Sequence, residues 1–122
     1  MNVICLEDAI ERTEECASVE FKSSFDPDKP GEWLEITKDI VALSNSGGGT
    51  IFVGLNDDGS PSGADVSSLL LIDPADVTNR LFKYTGCQFH AFELCLTSKG
   101  GHQIFAICVD RSAAQPREDI VF

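Results

Sequence analysis

The chain has 122 residues, 43% of them apolar and 24% charged, with 5 prolines; this is the make-up of one globular domain and excludes a disordered tail or two separate cores. No apolar run approaches the roughly 18 residues of a membrane-spanning helix, and the start lacks the basic and apolar regions of an export signal, so a soluble cytoplasmic protein is expected. Twenty acidic side chains against nine basic ones give a net charge of −11, opposite in sign to the footprint of a general DNA binder.

The excess is uneven, with 13 acids and 4 bases in the first 60 residues. Non-specific nucleic-acid binding is driven by Lys and Arg displacing counterions, so any such contact here must be local. In chain order, a short amphipathic helix is predicted from Leu6 to about Glu14, with Leu6 and Ile10 four apart and Ala9 beside them. Ser18 to Ser24 alternates as a half-buried strand does, Val19 and Phe21 facing one way and Glu20 and Lys22 the other. The turn-rich run from Asp26 to Gly31 ends it.

From Glu32, the steps of three and four between Trp33, Ile36, Ile40 and Leu43 predict a helix, with Glu32 and Glu35 well placed in its first turn. It should stop near Asn45, a local cap, because Gly47, Gly48 and Gly49 supply the backbone conformations that end helices. Thr50 to Leu55 is short and almost wholly apolar, as a central strand covered on both faces would be. Asn56 to Gly59 then reads as a turn, prolonged by Pro61 and Gly63. A further helix is predicted from Pro74 to Tyr84, capped by Asp73, with Val77, Leu81 and Tyr84 facing inward and Gly86 at its end. Two strands follow, Gln88 to Leu96 and Gln103 to Val109, joined by the hairpin turn Ser98 to Gly101. A last apolar fragment runs from Ile120 to Phe122. The expected fold class is α/β of the α+β kind, a mixed sheet packed with helices in the rough order α-β-α-β-α-β-β-β, as a single domain over residues 1–122.

Several chemistries are disfavoured. The glycines at 47–49 follow a helix rather than precede one, so a carbonyl end and not an amide end would face a phosphate, and no GK[ST] follows. His90 and His102 fall in two arms of one hairpin with no nucleophile turn beside them. The cysteines, 5 in number, lack CxxC spacing or a nearby histidine, and Cys95 and Cys108 sit in apolar stretches where a free thiol packs as a small hydrophobe. Trp33, Phe52, Phe82, Phe89 and Phe105 occupy core-like positions.

Taken together, Glu15, then Val19-Glu20-Phe21-Lys22, a helix running into Ala42-Leu43-Ser44-Asn45-Ser46-Gly47-Gly48-Gly49, the apolar strand and Asn56-Asp57-Asp58-Gly59 resemble the Schlafen-type AlbA-like domain, also found in bacterial RecG-like regulators. The hairpin, Asp110 and Pro116 resemble its later half. The resemblance implies an AlbA-like α/β sandwich in a regulatory protein linked to DNA or RNA, in a chain that ends at Phe122 where family members usually continue. Lys22, Lys38, Arg111 and Arg117 are the candidate nucleic-acid contacts. The eukaryotic Schlafen proteins cleave structured RNA with three carboxylates and a divalent metal. Carried over by position, that would make Glu15, Glu20 and Asp58 (or Asp57) catalytic residues and ligands for Mg²⁺ or Mn²⁺, hard ions that take oxygen donors. A third reading is a non-catalytic interaction module, a homodimer joined through an apolar C-terminal edge.

Overall fold

The computed structural model describes residues 6–110. Within them the elements are α1 (Leu6–Ile10), β1 (Val19–Lys22), α2 (Pro30–Asn45), β2 (Gly48–Val53), a 3-10 helix (Ser67–Leu71), α3 (Pro74–Thr85), β3 (Phe92–Lys99) and β4 (His102–Asp110). The four strands form one mixed sheet in the order β1-β2-β4-β3, with β1 parallel to β2 and the other pairs antiparallel. This is the α+β sheet that the sequence predicts; the apolar fragment from Ile120 to Phe122 lies outside the described residues.

Strand β2 is buried along its whole length and carries the alternation that divides the core. Ile51 and Val53 face one side, where α2 packs Trp33, Ile36, Ile40 and Leu43, α3 packs Val77 and Leu81, and Val66 and Leu69 fill the gap. Phe52 faces the other side, with Ala9 and Ile10 of α1 and Val19 and Phe21 of β1. Since Val19 and Phe21 point toward α1, Glu20 and Lys22 point to the α2 side at an edge of the sheet.

The boundaries that differ from expectation have local causes. Helix α1 stops at Ile10, because Glu11 to Glu14 offer no apolar side chain to hold another turn on the sheet. Helix α2 begins at Pro30 rather than Glu32; proline is pre-set for a first helical position, and the Trp33 indole donates 2.7 Å to the Pro27 carbonyl across that start. Its end is closed by Ser46, whose amide and hydroxyl donate to the Ala42 carbonyl, and not by Asn45. Helix α3 follows expectation at both ends, the Asp73 carboxylate accepting from the Ala75 amide and Gly86 turning left-handed at φ 78°. The hairpin closes on Gly100 and Gly101, both at positive φ, the requirement of a two-residue primed turn.

Two aromatic assignments are corrected. Phe82 and Tyr84 are 46% and 41% exposed, because α3 lays only the narrow stripe of Val77, Thr78 and Leu81 on the sheet. Phe52, Phe105 and Trp33 are buried as predicted, while Phe89 is half-buried and stacks on Phe92. Cys95 and Cys108 stand diagonally across β3 and β4 with their sulfurs 4.0 Å apart, half-buried against the α1-side core. Burial, and then the neighbouring Cys95, push the Cys108 thiol up to about 12. Both histidines are exposed.

Candidate functional site

The acidic residues picked out by the resemblance lie around the sheet edge formed by β1 and the loop that leaves β2. Glu15 turns back over β1, its carboxylate accepting the Phe21 amide at 2.8 Å, which supplies an edge-strand donor with a partner. From the residue just before Phe21 on that strand, Glu20 reaches the same carboxyl group and shares a hydrogen bond with it. Lys22 crosses to α2 and meets Asp39 at 2.7 Å, with Glu20 4.0 Å away on the other side. Asp39 escaped the sequence reading. Its signal is its place on α2, one residue before core Ile40, where a carboxylate half-turned to the core needs a cation.

This arrangement fixes the protonation chemistry. Glu20 is pushed up to about 7 by partial burial, by its hydrogen bond to Glu15 and by the charge of Asp39, with Lys22 opposing. For Lys22, partial burial favours loss of the proton, but the hydrogen bond and charge of Asp39 outweigh it and hold the ammonium above its ordinary value. Near neutral pH Glu20 is therefore only partly ionised, facing the Glu15 carboxyl, beside a lysine already committed to Asp39.

A pH-dependent stability follows. The folded chain holds the Glu20 proton to about pH 7 while the unfolded chain releases it near the ordinary 4.5, so stability falls as pH rises through that window and then levels off. A displacement of this size would be worth about 3 kcal/mol in a dry site; with 34% of the side chain exposed, screening reduces it to about 1–2 kcal/mol. Glu20→Gln should accordingly raise the melting temperature at pH 8 and leave it unchanged at pH 4.5. A gain equal at both pH values would mean that Glu20 is not the group responsible.

Asp58 behaves differently. It is fully exposed, and its carboxylate accepts from both the hydroxyl and the amide of Ser60, which hold its pKa below the ordinary range. The loop that carries it is docked firmly: Gly59 lies against the Arg12 carbonyl, and the Lys99 ammonium donates to the carbonyls of Arg12 and Gly59 at 3.1 and 2.7 Å. Ser23, Asn56, Asp57 and Asp58 line a shallow notch at this corner. The structure thus brings the Glu15 and Glu20 carboxyls together and places the Asp58 loop beside the residue 12–13 segment. Among the described residues, however, no group of three His, Cys, Asp or Glu side chains is arranged to hold a metal ion. Asp58 is held by Ser60 within its own loop, so these three acids do not form the cluster of oxygen donors that Mg²⁺ or Mn²⁺ takes.

Of the expected phosphate contacts, Lys22 is half-buried in its ion pair. Lys38 projects from α2 with 50% of its side chain exposed, 3.6 Å from Glu35. Arg111 and Arg117 lie outside the described residues. The sequence reading passed over Arg80 and Lys83, which project from α3; among the described residues neither has a carboxylate within 4 Å, and Arg80 stacks 4.3 Å over the Trp33 ring. Their signal was two cations three apart in a chain otherwise dominated by acids.

A four-stranded mixed sheet, with α2 and α3 on one face and α1 on the other, and an acidic, partly protonated edge, defines an α+β sandwich domain. The family model described as Schlafen, AlbA_2 matches residues 15–120, and the chain belongs to that family. Among solved structures it is similar to the DIP2311 protein from Corynebacterium diphtheriae, at 19% identity and a TM-score of 0.50 over 80% of this chain, a likeness of fold. The chain spans 20% of that protein's length. No curated protein matches it.

Proposed function

We propose that this chain is a nucleic-acid-binding domain of a DNA- or RNA-linked regulatory protein, binding weakly and through few phosphates. The single observation that supports the reading is family membership across residues 15–120. Physical chemistry sets its limits. With a net charge of −11, phosphate contacts must be few and local; Lys22 is committed to Asp39 at 2.7 Å, whereas Lys38 is half exposed and holds Glu35 more loosely at 3.6 Å, which favours Lys38 over Lys22. The reading of Glu15, Glu20 and Asp58 as a metal-dependent nuclease centre is not favoured, since Asp58 is tied to Ser60 and, among the described residues, no three acids are arranged to hold a metal ion.

Labelled duplex DNA, single strands and tRNA, titrated at low and moderate salt with and without Mn²⁺, test the proposal. Two or so phosphate contacts predict an affinity that drops about tenfold between 50 and 200 mM salt, and Lys38→Glu should weaken it further. The expected outcome is retention without cleavage. No retention of any of the three, or an affinity indifferent to salt and to Lys38, would overturn the reading, and cleavage abolished by Glu20→Ala would replace it with the nuclease.

A further inference from the structure

The chain carries 20 acidic side chains, yet none lines the groove that opens where α2 and α3 meet. Trp33 and Thr37, both buried, form its floor, and the Thr37 hydroxyl already donates to the Trp33 carbonyl. Leu34, 47% exposed, stands on the α2 side. The α3 side presents Arg80, Lys83 and Tyr84, neighbours on one turn of that helix, with Tyr84 41% exposed. The hollow between them measures about 250 Å³.

Arg80 is positioned by its packing and still available. Its guanidinium lies 4.3 Å over the Trp33 ring. A guanidinium on a ring uses its flat face, so the plane of the group is fixed while the N–H fork at its edge stays free for an acceptor. Among the described residues neither Arg80 nor Lys83 has a carboxylate within 4 Å. On the other side, Lys38 follows Leu34 by one helical turn and is half exposed. In a chain of net charge −11, this is a local cationic patch around an apolar wall.

A ligand that fits must carry an anionic group to meet Arg80 and Lys83, and a flat apolar part to cover Leu34 and Tyr84. A nucleotide has both. In a duplex the bases are paired and stacked, so only phosphates would reach the groove; in a single strand a base can turn out and pack on side chains. An acidic peptide would meet the cations and leave the apolar wall wet.

We propose that the groove between α2 and α3 holds an unpaired nucleotide of a single strand, with a phosphate on Arg80 and Lys83 and the base against Tyr84 and Leu34. This rests on the nucleic-acid reading above and gives it a site and a preferred form of strand.

Fluorescence anisotropy with a labelled oligothymidine strand, an abasic strand and a duplex of equal length tests it at low salt, with circular dichroism to show that each variant is folded. The oligothymidine strand should bind about fivefold or more tighter than either of the others. Arg80→Glu and Lys83→Glu should each weaken it about tenfold and flatten its salt dependence. Tyr84→Ala should weaken it about tenfold while changing the abasic strand less than about twofold. Strand binding that responds to Lys38→Glu but is indifferent to Arg80→Glu and Lys83→Glu overturns this proposal and leaves the nucleic-acid reading standing. Equal affinity for the abasic strand or the duplex overturns it too, as does displacement of the strand by polyglutamate as readily as by unlabelled oligothymidine. No retention of any strand removes both readings.

Discussion

Replacing Gly49 by alanine should cost about 3 kcal/mol and lower the melting temperature by more than about 10 °C. A Cβ there would stand 2.4 Å from the Ser18 carbonyl oxygen and 2.9 Å from a Leu43 methyl. The first neighbour is backbone and cannot swing away: the same Ser18 oxygen accepts the Thr50 amide at 2.9 Å, the first rung between β1 and β2. Relief would require parting the strands or lifting the end of α2 from the sheet. Two other glycines calibrate the result. At Gly63 nothing lies within 4 Å but φ is +83°, so alanine should cost only the left-handed backbone penalty of about 1–2 kcal/mol. At Gly31, in the first turn of α2 with open space around it, alanine should stabilise by about 0.5–1 kcal/mol. Thermal denaturation of the three variants should rank them in that order; a Gly49→Ala protein as stable as Gly31→Ala would mean that the two strands do not close on each other at this point.

That crowding also marks how far the sequence could be read. The spacing of Trp33, Ile36, Ile40 and Leu43, the cap at Asp73 and the paired glycines at 100–101 are local signals, each decided by residues within a turn or two, and the elements follow them closely. What the chain meets across the fold was not legible. Gly49 reads as a helix terminator, yet its main constraint is Ser18, some thirty residues earlier. The 3-10 helix from Ser67 to Leu71 went unseen because its register is set by burying Val66 and Leu69 under the sheet while Leu71 stays 85% exposed, a pattern without a helical or strand period. The candidate site divides in the same way. That Glu20 and Lys22 share one side of β1 is strand geometry and was predictable; that this side turns to α2 and Asp39 rather than to open water depends on which face α1 covers.

Lys22→Met should destabilise the fold by about 2–3 kcal/mol at neutral pH, and the loss should come from the carboxylate it strands rather than from the cation itself. The Lys22 and Asp39 side chains keep only 25% and 21% exposure at their 2.7 Å contact. Removing one partner of such a pair leaves the other charged, largely dry and uncompensated, and costs more than the pair contributes. Glu20 would lose the one nearby cation that opposes its raised pKa, so it should hold its proton to still higher pH. One consequence separates this from a phosphate-binding role for Lys22. Lys22→Met combined with Asp39→Leu should recover most of the lost stability, because two apolar side chains of suitable size can replace a half-buried ion pair at little cost. Denaturant titrations of the single and double variants at neutral pH measure the effect. A Lys22→Met chain of full stability would free this lysine from the fold and return it to the list of cations available to a phosphate.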